Sequence, residues 1–403
     1  MNKMKNGRFS IRILAGVMAA GILILVILVG SACNNAERIK AFFGVDTKSS
    51  KQQNTKENNT VPEKDMKQYV KAESGTYDIV LALDSWIGGT PAIYALDKGL
   101  DKKCSLKVGI ETVWDEKTKL LGLKEGKFQA IEIALPAFLS MLKEYPGCGT
   151  IAAITDFSYG SDGLIVKKDI RDLNQIKGKK VAYLSDGLSK YSLAQFLSKA
   201  GLGYKDIIPV EKSSFEDVFE EINSGNVDAV VAADQTLFSI LNYVNNEDEK
   251  MRLLLSSKDI SDFMPTVLVI NSDFAKRKPD EVSGFLKMWF DSVNSIMKYS
   301  DKAFLDILDA SKKYPDIYGE VSEDDVKQSL SGIKMMSLKS NMEYFGIGEK
   351  NAKFEKILRD TQRLVQESAS TAREIDTSKI FSKSFLESIT EGTAKNDVPH
   401  QNK

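Results

Sequence analysis

Lys124-Glu125-Gly126-Lys127-Phe128-Gln129-Ala130 and Asn223-Ser224-Gly225-Asn226-Val227-Asp228-Ala229 follow one pattern. Each reads as the end of a helix, a glycine stop, a short turn and the start of a buried strand. Ala130–Leu135 and Val227–Ala232 are the strands so entered. Upstream of the first, Tyr77–Leu83 is a strand, Asp84–Thr90 a loop, and Pro91–Lys98 a helix with proline in its first turn and Gly99 at its end. A strand near Leu106–Thr112 and a helix capped by Asp115 and running to Lys124 complete that half. The second half repeats the order. Val181–Leu184 is a strand, Ser185–Ser189 a loop, Lys190–Ala200 a helix stopped by Gly201, Ile207–Val210 a strand and Phe215–Asn223 a helix. Strands alternating with helices predict mainly parallel sheets covered on both faces, here two α/β lobes of like design.

Beyond the halves the chain turns helical. Val282, Phe285, Leu286, Trp289, Val293, Ile296 and Met297 keep helical spacing over Glu281–Lys298, so Trp289 belongs to a core. Further helices are expected at Asp301–Tyr314, at Glu323–Ser331 behind the cap Ser322, and at Asn351–Ala369. The expected organisation is residues 76–160 with 266–390 as one lobe, 161–265 as the other, and 391–403 as a polar tail.

Composition narrows the function. Of 403 residues, 42% are hydrophobic and 28% charged, with 55 Lys+Arg against 56 Asp+Glu. No basic excess exists to hold a phosphate backbone, so nucleic acid is not an expected partner. The one histidine, His400, lies in the polar tail, which argues against imidazole catalysis and histidine-rich metal sites; no metal and no cofactor are expected.

The start of the chain is an export segment. Lys3, Lys5, Arg8 and Arg12 precede an apolar run from Ile13 to Ala32, which leaves through Gly30-Ser31-Ala32-Cys33. Cys33 behind small residues resembles a lipoprotein processing site, although Gly30 stands where leucine is usual. The expectation is a signal over residues 1–33 with Cys33 lipidated; the alternative is an uncleaved helix able to span a bilayer. Residues 34–75 are too polar to offset ordering entropy and read as a tether reaching roughly 35 Å. Cys104 and Cys148, the other cysteines, either pair as a disulfide in an oxidising exterior or stand as two thiols.

In open α/β sheets ligands bind beyond the carboxyl ends of the strands. Asp84-Ser85-Trp86, Leu135-Pro136-Ala137, Ser185-Asp186-Gly187-Leu188-Ser189 and Asp234-Gln235-Thr236 hold that position. The stretch Thr155–Gly163 lies between the halves and should contain the first crossover; Phe263-Met264-Pro265-Thr266 should be the return. The candidate ligand residues are Ser85, Trp86, Leu135, Asp156, Tyr159, Asp162, Ser185, Asp186, Ser189 and Asp234, with Gly160, Gly163 and Pro265 as hinge. Ser and Asp at such positions also serve as caps and turn residues, so some of these will be structural.

Three stretches resemble the solute-binding proteins of ABC importers, in the group covering nitrate, aliphatic sulfonates, taurine and thiamine-pyrimidine precursors. They are Leu83–Gly99, Asp156–Val166, and Asp172-Leu173 through Ile176–Ala182. The resemblance spans about Thr76 to Ser388. It departs at Ala233-Asp234-Gln235-Thr236, where the family often has a Trp-Glu-Pro-like string, and in the wording of Ser185–Ser189. It implies a periplasmic-binding-protein-like fold of two doubly wound lobes joined by a two-crossover hinge. It also implies a monomer that captures a small solute and delivers it to a permease driven by ATPase subunits. No phosphate loop is present to supply that energy from within.

Two rival readings follow. A pyrimidine-synthesising group of the same family uses a reactive histidine and a cofactor lysine, which His400 alone does not match. A ligand-sensing receptor exterior would need a second membrane helix and a signalling domain. The five loop aspartates, Asp84, Asp156, Asp162, Asp186 and Asp234, face only Lys190. They favour a solute with an ammonium, amide or aminopyrimidine group over a bare anion such as nitrate. Amides near Ser185–Ser189 could hold an anionic end, so a zwitterion such as taurine would satisfy both, with Trp86 or Tyr159 over its body.

Overall fold

The computed structural model describes residues 76–389, apart from 143, 247–249, 299, 319–320, 349–351, 370–376 and 378–379. The export segment, Cys33, the tether, His400 and the polar tail lie outside the described residues.

The strands are β1 (Ile79–Leu83), β2 (Val108–Thr112), β3 (Ala130–Ala134), β4 (Gly149–Ser158), β5 (Asp162–Lys167), β6 (Lys180–Leu184), β7 (Ile208–Lys212), β8 (Ala229–Ala233), β9 (Met251–Ser256), β10 (Pro265–Asn271) and β11 (Ile333–Met335). They form two sheets, ordered β11-β4-β10-β3-β1-β2 and β7-β6-β8-β5-β9. In each, a parallel triplet centred on β1 or β6 is extended beyond β3 or β8 by an antiparallel pair, β10 with β4 or β5 with β9, and the first sheet adds the short β11 outside β4. Those two pairs are the ends of the crossovers. β4 leaves the first sheet and β5 enters the second; β9 leaves the second and β10 returns. The two lobes are thus topological equivalents, as the shared turn pattern predicts. The sheets are more mixed than the expected parallel ones, because a strand arriving from the other lobe runs against its new neighbours.

The strand cores are apolar runs buried on both faces. IVLAL in β1 and AVVAA in β8 have interior positions almost wholly covered by helices. The local signals for helix ends hold well. Asp115 caps Glu116–Lys124, Ser214 caps Phe215–Asn223, and Ser322 caps Glu323–Ser331. The second-half loop is shorter than expected, because Asp186 caps a helix that already starts at Gly187.

The crossovers are tied to each other. Between β4 and β5 only Tyr159–Ser161 is loop, and Gly160 takes a left-handed φ of 114°. The Ser257 hydroxyl, on the return crossover, accepts from the Gly160 N–H at 2.6 Å and the Asp162 N–H at 3.3 Å. It also lies 2.9 Å from the Ser158 hydroxyl, which donates to Asp162 at 2.6 Å. Pro265 opens β10. Gly163, expected as a hinge, is instead paired inside β5, where an added Cβ would come within 2.6 Å of Leu237. Its need is close packing rather than freedom to turn.

The segment after β10 does not keep to one lobe. The helix Phe354–Ala369 puts Phe354, Ile357 and Leu358 into the first sheet's core and Leu364 and Val365 into the second's. The Tyr191 hydroxyl donates to Thr361 on that helix at 3.1 Å. Cys104 and Cys148 are both free, which sets aside the disulfide. Cys104 ends the short helix Leu100–Lys103, where Lys287 and Asp291 of Pro279–Lys298 act on it, whereas Cys148 is buried just ahead of β4.

Asn341 completes the first sheet's edge. Its side chain accepts from the Ile154 N–H at 2.8 Å and donates to the Ile154 carbonyl at 2.9 Å, continuing the ladder on β4 beyond the short β11. Replacing Asn341 by leucine strands two buried backbone groups and should cost about 2–4 kcal/mol. Chemical denaturation checks this; an unchanged midpoint would contradict it.

Candidate functional site

A cleft of about 820 Å³ opens between the two sheets' loops. It is lined from the first sheet by Asp84, Ser85, Trp86, Trp114, Glu132, Pro136 and Ala137, and from the second by Asp162, Ser185, Asp186, Lys190 and Asp234. A side chamber of about 140 Å³ adjoins it, sharing Ser85, Trp86 and Asp234 and reaching Ser311, Tyr318, Val326 and Ser329.

The floor is built around a lysine. Asp84 accepts from the Trp86 N–H at 2.7 Å, which turns the chain sharply after β1. Its other oxygen accepts from Lys119 Nζ at 2.5 Å. Lys119 has no exposed surface and also donates to the Glu132 carbonyl at 3.1 Å and lies 3.3 Å from Glu116. Burial alone would lower the Lys119 pKa, but Asp84 and Glu116 outweigh it and the net direction is up. Lys119 is therefore an ammonium ion.

Trp86 is held edge-on. Its Nε1–H donates to Asp156 at 3.0 Å, and a Cβ on Gly88 would sit 2.2 Å from Asp156, so only glycine fits there. Asp156 itself does not line the cleft; it is fully buried behind Trp86 and also accepts from the Thr155 hydroxyl at 2.9 Å. Burial pushes its pKa up to about 6 against the hydrogen bonds from Thr155, Trp86 and Thr266.

On the opposite wall, Asp162 accepts from the Ser158 and Ser192 hydroxyls, each at 2.6 Å, and burial raises its pKa. Asp186 lines the cleft but serves as the cap of Gly187–Ser198, accepting from the Ser189 N–H at 2.5 Å and the Ser189 hydroxyl at 3.1 Å. Ser189 is thereby turned inward, and its amide, expected to hold an anionic end, is already taken. Asp234 takes a left-handed φ of 52° and donates its N–H to the Ser161 carbonyl at 2.7 Å. Its carboxylate faces the water of the cleft but is walled in by protein on most sides. That enclosure, with Asp162, Asp84 and Asp156 nearby, raises its pKa well above the usual range.

Besides Asp156 and Ser189, two more expected residues lie off the cleft. Leu135 has no exposed surface and packs in the first core, because the helix Leu135–Met141 starts on it and turns Pro136 and Ala137 to the cleft. Tyr159 is 46% exposed outside the cleft, its ring beneath Lys258 at 5.6 Å. Two residues went unrecognised. Trp114 is 58% exposed at the cleft, on the loop after β2, a strand end that the topological rule also covers. Glu132 is 3% exposed in the middle of β3, and among the described residues its Oε1 has no hydrogen-bond partner. A single acid inside the apolar string Ala130-Ile131-Glu132-Ile133-Ala134 was the signal. Burial, then Asp156 and Asp84, raise its pKa well above the ordinary value.

Fold and cleft together define a two-lobed α/β protein with a cleft between lobes joined by two crossovers. The family model described as NMT1/THI5 like matches residues 90–303, and the chain belongs to that family. No curated protein sequence matches the chain. In fold it is similar to the periplasmic aliphatic sulphonate binding protein SsuA from Escherichia coli, with TM-score 0.59, 14% identity, and coverage of 77% of this chain and 98% of that one. It is also similar to a putative periplasmic sulfonate-binding protein SsuA from Methylobacillus flagellatus KT (TM-score 0.57, 15% identity, 78% and 94% covered). A third is the alkanesulfonate-binding protein SsuA from Xanthomonas axonopodis pv. citri bound to MOPS (TM-score 0.54, 13% identity, 75% and 97% covered).

The raised carboxyl groups set a pH dependence. Asp156 titrates near 3.8 when unfolded and about 6 when folded, so the native state binds the extra proton between those values. Stability therefore falls as pH rises through about 6 and is fully regained below the unfolded value; Glu132, Asp162 and Asp234 act in the same direction. The melting temperature should rise from pH 7.5 to pH 5.5, and Asp156→Asn should flatten part of that rise. A melting temperature that falls on acidification over this range would contradict the assignment.

Proposed function

We propose that this chain is the extracytoplasmic solute-binding subunit of an ABC importer. It captures a small nitrogen- or sulfur-containing solute between its lobes and presents it to a permease. The observation that carries the reading is the cleft walled by corresponding loops of two equivalent sheets, with two crossovers as the hinge. Membership of the NMT1/THI5-like family and the fold likeness to sulfonate-binding proteins support it. Binding rather than conversion is the reading because neither Cys104 nor Cys148 lines the cleft, and the buried lysine is a paired ammonium rather than a free amine. Solutes in range are amine-bearing, taurine- or sulfonate-like and pyrimidine-like compounds; a bare anion such as nitrate suits the acidic walls least.

The chain is held at the outer face of the cell membrane through Cys33 and a tether. Among the described residues no helix is long and apolar enough to cross a membrane.

Two outcomes follow. Thermal melting against nitrogen- and sulfur-bearing solutes should reveal at least one that raises the melting temperature, as mass action requires of any ligand that binds only the folded state. Trp86→Ala should abolish that shift while the protein still folds; a shift that survives the substitution would place the solute elsewhere. Separately, Cys33→Ala should release the protein from membranes or leave an unprocessed precursor. A mature wild-type chain that keeps Met1 and carries no lipid would remove the lipoprotein assignment.

A further inference from the structure

Most carboxylates of the cleft are already committed. Asp84 and Glu116 are matched to Lys119, Asp162 to two serine hydroxyls, and Asp186 to its own helix. Two are not. Glu132 of β3 leaves Oε1 without a partner although the residue is 97% hidden at a relative exposure of 3%. Asp234, at the start of the helix Asp234–Asn246, makes no side-chain hydrogen bond or ion pair among the described residues. One belongs to each lobe, both line the same cleft, and both lie within electrostatic reach of Asp84 and Asp156. The one cation among the described lining residues, Lys190, is taken by Glu211 at 2.5 Å.

We propose that the solute is an aliphatic amine of net positive charge, whose ammonium groups lie between Glu132 and Asp234 and draw the lobes together. The inference rests on the solute-capture reading and names its ligand class. An acid on each wall resists closure of an empty cleft, because bringing like charges together in a drying space is unfavourable. A cation between them replaces that repulsion with charge-assisted hydrogen bonds to both lobes. A sulfonate would add another negative group, and the helix start that could have received it is capped by Asp186. The exposed ring of Trp114 at the cleft offers a face over which an ammonium-bearing chain can lie.

Titration calorimetry on the full chain with 1,4-diaminobutane, taurine, ethanesulfonate and an aminopyrimidine tests this, together with Glu132→Gln and Asp234→Asn. The diamine should bind wild type, and each substitution should weaken it at least tenfold. Both variants remove a like-charge neighbour and should melt no lower than wild type, so loss of binding will not reflect loss of fold. Undiminished diamine binding in Glu132→Gln would mean that glutamate acts as a neutral hydrogen-bond donor and would overturn the proposal. Binding of taurine, ethanesulfonate or the aminopyrimidine with no response to the diamine would overturn the cationic assignment and leave solute capture standing. Absence of diamine binding alongside silence from the other three would also overturn it.

Discussion

The first lobe's side of the cleft depends on one buried ammonium. Lys119 has no contact with solvent, and an ammonium so placed is tolerable only when opposite charges and acceptors surround it. Asp84, Glu116 and the Glu132 carbonyl do so, and they come from the loop after β1, the helix Glu116–Lys124 and β3. One side chain therefore pins three elements at the cleft floor. It sets the turn that delivers Ser85 and Trp86, and Trp86 in turn is locked by Asp156 on the strand that leads to the crossover. The same pairing satisfies Asp84 and leaves Glu132 and Asp234 as the surplus charge of the site.

The bonds that tie the two crossovers together are local. Ser257 gathers Gly160, Asp162 and Ser158 within one turn of each crossover, and Gly160 supplies the left-handed backbone that lets β4 pass into β5. The helix Phe354–Ala369 bridges the lobes, since it contributes to both cores and is bonded to Tyr191 of the second lobe. Any closure around a solute would have to carry this helix along or slide across it. A shear of packed side chains near Leu364 and Val365 would then accompany hinge bending.

Much of this fold could be read from the chain. Asp115, Ser214 and Ser322 mark helix starts because capping is a local interaction between a side chain and amides three residues on. The apolar strand runs and the repeated glycine stop exposed the two-lobe plan. What stayed hidden depends on tertiary placement. β9 carries no clear strand signal in the sequence; it is the second sheet's edge, pairing among the described residues with β5 alone, and its middle residues stay half-exposed. Lys119 sits in an ordinary-looking helix, and nothing nearby in sequence shows that its ammonium lies under a cleft. Tyr159 follows a strand end yet faces out, because the left-handed turn at Gly160 redirects the chain. Of the site, Ser85, Trp86, Asp162, Ser185, Asp186 and Asp234 line the cleft as expected. Asp156 acts from behind Trp86, and Leu135 went to the core because the helix begins one residue sooner than the strand pattern implied.

The central claim is that a cleft with an unmatched acid on each wall holds a positively charged solute. Native mass spectrometry of protein purified without denaturation, followed by release and identification of whatever small molecule it carries, tests this most directly. The released compound should bear one or more aliphatic ammonium groups and net positive charge, and should be absent from protein carrying Asp234→Asn. A released sulfonate or other anion, retained equally by that variant, would contradict it.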